Sequence, residues 1–159
     1  MVTMSATTVP DAEALSSQFQ SCFSGCTTGE INKILPFLEY QVSSRGADLW
    51  KEGDSADFMG FLLEGKLVVK REARFPGKFI LLAVLGPGSI FGETAIIAGQ
   101  KRSVTLAVGE DSHFLRFTGN NAQLLFDAEP QLAIRLLKNI LVVTSGRLNQ
   151  AGIRLGELL

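Results

Sequence analysis

The sequence predicts a mainly-β domain, a sandwich or barrel of short strands with helices packed at both ends. Between residues 41 and 117, short apolar runs alternate with glycine-rich breaks, and turn signals about every 8–12 residues mark that architecture. On either side of this region the apolar spacing becomes helical.

Taken in order, residues 1–15 are rich in Thr, Ser and Ala without a periodic pattern, and are expected to form a flexible tail ahead of a domain spanning 16–159. From Ser16 to about Leu38, Phe19, Phe23, Ile31, Leu35 and Leu38 fall at helical spacing. Ser24-Gly25 breaks this stretch, and Thr27 or Thr28 stands ready to cap a second short helix before Glu30. The strand runs are Asp48–Trp50, Phe58–Leu63, Leu67–Val69, Phe79–Leu85, Val104–Val108 and Phe114–Phe117. Glu64-Gly65-Lys66 fits a tight hairpin turn, with glycine supplying a positive φ. The segment Gly92–Ala98 breaks the strand grammar and reads as a short helix whose first N–H groups lack partners. After Phe117 the chain returns to helix. Pro130 suits the first position of a long helix over about 130–151, with Asp127 and Glu129 near its positive end. Gly146 lies inside that helix and is expected to admit a close neighbour.

Composition removes several functions. At 159 residues the chain makes one domain, and its net charge of -1 lacks the basic surplus of a nucleic-acid binder. The start carries Asp11 and Glu13 instead of a basic and then apolar leader, and the apolar stretch Phe79–Phe91 is interrupted by Gly86-Pro87-Gly88. A cytoplasmic protein with no membrane span is expected. Cys22 and Cys26 cannot complete a four-ligand zinc site and read as free thiols. His113 is the single histidine, too few for the clustered ligands of a metal-dependent barrel enzyme. No nucleophile–base pair or catalytic dyad is visible, so no enzyme is expected and no catalytic or metal-binding residue is assigned. Lys70, Arg71 and Arg74 read as a solvated hairpin tip.

The informative stretch is Val84–Val108, VLGPGSIFGETAIIAGQKRSVTLAV. A helix start at Gly92-Glu93 would offer N–H groups to an anion. Arg102, nine residues after Glu93, supplies a fork that can bond two phosphate oxygens at once. The Glu93 carboxylate can accept from sugar hydroxyls, and Gly92 lets ligand and backbone approach. Together these suit an anionic sugar phosphate, although a glycine turn followed by arginine is by itself a weak pattern. An ordinary ion pair fixing the loop is the alternative.

The same residues, Phe91-Gly92-Glu93 and Arg102-Ser103, resemble the phosphate cassette of the cyclic-nucleotide-binding family. Gly46, the turn Glu52-Gly53-Asp54 and the run Phe61–Lys66 resemble further motifs of that family in the same order. Two departures stand out: Lys101 replaces the usual proline before the arginine, and Ser89 replaces a commoner acidic residue. The resemblance implies a double-stranded β-helix, or jelly-roll, barrel over about 41–117. It implies a regulatory domain that senses a cyclic nucleotide, cAMP in the first place and cGMP as a possibility, and relays a conformational change. It assigns ligand contacts to Gly92, Glu93, Thr94, Ala95, Arg102 and Ser103. Glu93 would take the ribose 2′-hydroxyl. Arg102 would take the phosphate, with backbone N–H groups near Ala95 and Ser103. The long helix would close over the base, and Arg147 stands near the lid position, with Leu148 and Asn149 as substitutes.

In that helix Leu137, Thr144, Ala151 and Leu158 recur every seven residues, as do Leu141, Leu148 and Leu155. Offset by four, the rows form a seam suited to a homodimer, or alternatively to packing on the barrel itself. DNA-binding relatives carry a further helix-turn-helix domain; none is expected within these residues, which would form either a stand-alone sensor or one piece of a larger protein. An effector protein is expected but not named by the sequence. The rival expectation is a structural or protein-interaction module of the same fold that binds no ligand.

Overall fold

A computed structural model describes residues 9–159. The described residues open with three short helices, α1 (Ala12–Gln18), α2 (Gln20–Phe23) and α3 (Thr28–Ile34), followed by a 3₁₀ turn at Leu35–Phe37. Asp11 caps α1 by accepting from the Ala14 N–H at 2.8 Å, and Ala12 and Leu15 are buried. Packed helix therefore begins four residues before the end of the expected 1–15 tail, because a cap and two apolar side chains suffice to dock it. Of the rest of that expected tail, residues 1–8 lie outside the described residues. Thr27 and Glu30 form a reciprocal capping box on α3, as their three-residue spacing predicts.

Six strands follow: β1 (Glu39–Ser43), β2 (Asp48–Trp50), β3 (Phe58–Glu72), β4 (Phe79–Leu85), β5 (Ile90–Phe91) and β6 (Thr105–Thr118). They form one antiparallel sheet in the order β1-β6-β3-β4, with β2 also on β6 and β5 on β3. Its hydrogen bonding does not close into a ring. Two helices complete the chain, α4 (Gly119–Ala128) and α5 (Pro130–Glu157). Pro130 holds the first helical position, and α5 runs six residues beyond the expected end.

The sheet has apolar side chains on both faces, following the two-residue alternation of a strand. Met59, Phe61, Leu115 and Phe117 pack with Phe19, Phe23, Ile31 and Leu136 under the helices. The intervening Leu62 and Phe114 join Trp50, Leu67, Phe91 and Leu106 on the other face. Cys22 belongs to the helical cluster, and burial pushes its thiol up to about 12.

Two sequence expectations need correction. Glu64-Gly65-Lys66 is no hairpin turn: β3 continues through it from Phe58 to Glu72. Gly65, at φ +89°, opposes the Glu110–Ser112 stretch of β6, and a Cβ there would lie 2.3 Å from the Asp111 carbonyl oxygen. The β3–β6 register shifts on both sides of it, so two glycine-marked breaks meet across the sheet and bend one continuous strand pair. Gly146 meets nothing within 4 Å, so no neighbour accounts for a glycine at that place in α5.

Candidate functional site

The strand–turn–strand segment after β4 places the cassette. Gly92 adopts a left-handed conformation (φ 68°) and leads a 3₁₀ turn over Glu93–Ile96. A Cβ at residue 92 would lie 2.7 Å from Arg102 Nη1 and 2.8 Å from Trp50 Cη2. Glycine is therefore required both for the turn and for the side chains packed against it.

Arg102 enters from the loop before β6 and is 4% exposed. Its Nη2 donates to the Phe58 carbonyl at 2.6 Å and its Nη1 to the Gly92 carbonyl at 3.5 Å. Asp57 stands 3.5 Å away. The guanidinium lies 3.6 Å over the Trp50 ring, and its Nε is buried without a hydrogen-bond partner among the described residues. Burial works against the charge on Arg102, while Asp57, Asp54 and Glu93 support it. A cation held dry with a donor to spare is suited to an anion.

Glu93 reaches the same cavity from the 3₁₀ turn and meets Arg147 of α5, whose Nη1 lies 3.4 Å from Glu93 Oε1. Arg147 also donates from Nη2 to the Ile90 carbonyl at 2.6 Å. The cavity, about 520 Å³, is bounded by Gly92, Glu93, Thr94, Arg102, Ser103 and Arg147. Six of the seven residues singled out in the sequence thus share one concavity.

The seventh differs. Ala95 is buried beneath the turn, and its N–H already donates to the Gly92 carbonyl at 3.0 Å, so it is not a free donor for a ligand here. Leu148 and Asn149 do not line the cavity, whereas Gln150, Ala151 and Arg154 do. With Arg147 these residues stand at i, i+3, i+4 and i+7, one face of a helix. That spacing was available in the sequence, but the face was not identifiable without the barrel. Trp50, Val69, Leu82, Val84 and Leu85 supply an apolar wall.

Arg71 is exposed, as expected beside a solvated hairpin tip, and also pairs with Glu52 at 3.1 Å and donates to the Ser103 carbonyl at 3.0 Å at the rim of the cavity. Lys70 lies 4.5 Å over the Phe79 ring. His113 is half-buried, bonded to the Tyr40 hydroxyl and 4.0 Å from Glu64. Among the described residues, no helix is long and apolar enough to cross a membrane.

Comparison with known proteins places this geometry. A cyclic nucleotide-gated potassium channel of Rhizobium etli is 28% identical over 109 residues, covering 69% of this chain and 29% of the channel. The cyclic AMP receptor protein of Thermus thermophilus is 25% identical over 136 residues, covering 86% of this chain and 61% of that protein. The chain therefore spans under a third of the channel and under two thirds of the receptor. A solved cyclic nucleotide-binding domain from Methylobacillus flagellatus superposes with a TM-score of 0.80 at 20% identity, over 90% of this chain and 83% of that one. That likeness bears out the expected mainly-β jelly-roll class with flanking helices. The profile of the cyclic nucleotide-binding domain matches residues 41–129, and with more than half of its length so matched, the chain belongs to the cyclic nucleotide-binding domain family.

Proposed function

We propose that the cavity binds a cyclic nucleotide, cAMP in the first place, and that the domain is a sensor with no catalytic step of its own. One observation carries the reading: Arg102, buried, positively charged and with an Nε that has no partner among the described residues, lines the same cavity as Glu93. The phosphate would meet the Arg102 guanidinium, and the ribose hydroxyl would meet the Glu93 carboxylate. Ser103 stands at the phosphate end. Gln150, Ala151 and Arg154 form the wall nearest the base, since α5 rises about 1.5 Å per residue away from Arg147. Arg147, tied to Glu93, would then meet the ribose end in place of the base-lid role expected from the sequence.

The ligand's effect would pass to α5. Arg147 joins the helix to Glu93, so contacts made at Glu93 differ with the position of the helix, and such a difference is what lets a ligand shift an equilibrium. A second copy is the partner proposed for the far side of α5. Leu137, Leu141, Leu148, Leu155 and Leu158 of the heptad seam are all exposed, which suits a helix pair. The effector is whatever lies beyond α5 or docks to it. Two unpaired thiols, Cys22 and Cys26, suit a reducing compartment such as the cytoplasm.

One observation favours the rival module that binds no ligand: Arg102 and Glu93 both have protein partners, in Phe58, Gly92, Asp57 and Arg147. Calorimetric titration with cAMP, cGMP and AMP separates the two. Saturable binding of a cyclic nucleotide over AMP supports the sensor; no heat with any of the three at millimolar concentration supports the module.

A further inference from the structure

We infer that Trp50 is the positioning residue for the phosphate clamp: its indole face holds the Arg102 guanidinium in the pose that meets the ligand. The inference rests on the reading of the cavity as a cyclic-nucleotide site.

The geometry is specific. Trp50 ends β2 and is anchored by its own N–H, which donates to the Val104 carbonyl at 3.0 Å. Phe58 packs edge-on against it with ring centroids 5.4 Å apart, and Phe91 lies 6.0 Å away. The plane so fixed carries the Arg102 guanidinium carbon 3.6 Å above its centre. Trp50 and Arg102 both line the cavity. The left-handed Gly92 leaves the space they share, since a Cβ there would collide with both.

The chemistry explains why an aromatic ring serves here. An arginine side chain is long and has many rotamers, so a clamp needs something to fix it before ligand arrives. A carboxylate could do this, but only by occupying the N–H edges that a phosphate must use. An indole holds the cation through its face, by attraction to the negative side of the ring, and takes none of its N–H groups; of these, Nη2 and Nη1 meet the Phe58 and Gly92 carbonyls, and Nε has no partner among the described residues. The carboxylate nearby, Asp57, stands at 3.5 Å with its side chain 65% exposed, a weak competitor. Trp50 touches the arginine and lines the cavity without itself bearing a group that bonds phosphate.

The test is a double-mutant cycle read by calorimetry with cAMP. Trp50→Leu should weaken binding roughly ten-fold, the size of one desolvated cation–π contact, and Trp50→Phe should recover most of the loss. In an Arg102→Lys background, Trp50→Leu should change affinity little, because the planar fork it positions is gone. A purely structural role would give equal losses in both backgrounds and would overturn the inference, as would a Trp50→Leu protein that binds cAMP like the wild type. Trp50 is the sole tryptophan, so wild-type emission provides a measurement without any variant that might fail to fold. Binding of cAMP should shift it, and saturation with no spectral change also overturns the inference. A wild-type protein that binds no cyclic nucleotide defeats the reading of the cavity itself, and the role of Trp50 falls with it.

Discussion

Arg147 of α5 lies 3.4 Å from Glu93 and donates to the Ile90 carbonyl at 2.6 Å, so one cavity-lining side chain also ties the C-terminal helix to the barrel. Beyond Arg147 every residue of α5 is exposed, and among the described residues no later side chain of the helix is hydrogen-bonded to the barrel. Arg147→Ala should therefore speed amide exchange over residues 148–157 even without nucleotide. It should also weaken cAMP and cGMP binding alike, by about 1 kcal/mol for a half-exposed polar contact. Unchanged exchange in the variant would show that the distal helix is held by something else. A loss confined to one nucleotide would put Arg147 back at the base.

Arg102→Ala should weaken cyclic-nucleotide binding by about 2–5 kcal/mol, the usual cost of removing one partner of a desolvated charge pair. Glu93→Ala should cost less, because a ribose hydroxyl is neutral. Titration of both variants decides the order, and an Arg102→Ala protein with wild-type affinity would remove the phosphate from that end of the cavity.

Gly65→Ala should destabilise the fold. The position combines φ +89° with a Cβ only 2.3 Å from the Asp111 carbonyl oxygen and 2.4 Å from Ser112 Oγ. Left-handed strain alone is of order 1–3 kcal/mol, and the clash adds to it. A melting temperature within a degree of wild type would mean that the bend in β3 and β6 relaxes freely.

Gly146→Ala should have the opposite sign. Its surroundings are open and its place is the interior of α5, so replacing glycine gains up to about 1 kcal/mol of helix propensity. Differential scanning calorimetry should show a raised transition. A lowered one would reveal a partner packed against Gly146 in solution.

The exposed seam on α5 predicts a dimer in solution. Light scattering on the eluted protein should give twice the 17.2 kDa chain mass. The pair Leu141→Lys and Leu148→Lys, at positions 64% and 75% exposed, should return it to one, because charges do not desolvate into a helix seam. A wild-type chain eluting at a single mass would dismiss the dimer.

Sequence alone determined those features whose physics is local. The strand runs at Asp48–Trp50 and Phe79–Leu85 coincide with β2 and β4, because alternation and turn residues act within a few positions. Thr27 with Glu30, and Pro130 at the head of α5, follow from capping chemistry that a short window contains. The residues of the candidate site were picked out by their resemblance to a family motif, because a glycine turn, a carboxylate and an arginine at that spacing are by themselves a weak pattern. Tertiary structure decided everything that depended on a distant partner. Gly65 has the local signature of a hairpin turn and became a bulge, because the stretch opposite it is Glu110–Ser112, more than forty residues away. Trp50 and Arg102 are apart in sequence and touch only once β2 and β6 are paired. Arg147 could have faced solvent, base or ribose; the docking of α5 on α2 and the barrel placed it on Glu93 and turned Gln150 and Arg154 toward the cavity. A helix shows its stripes in sequence, but which stripe meets a ligand depends on the rotation at which it packs, and that is set by Leu132, Ala133, Leu136 and Ile140 against the core.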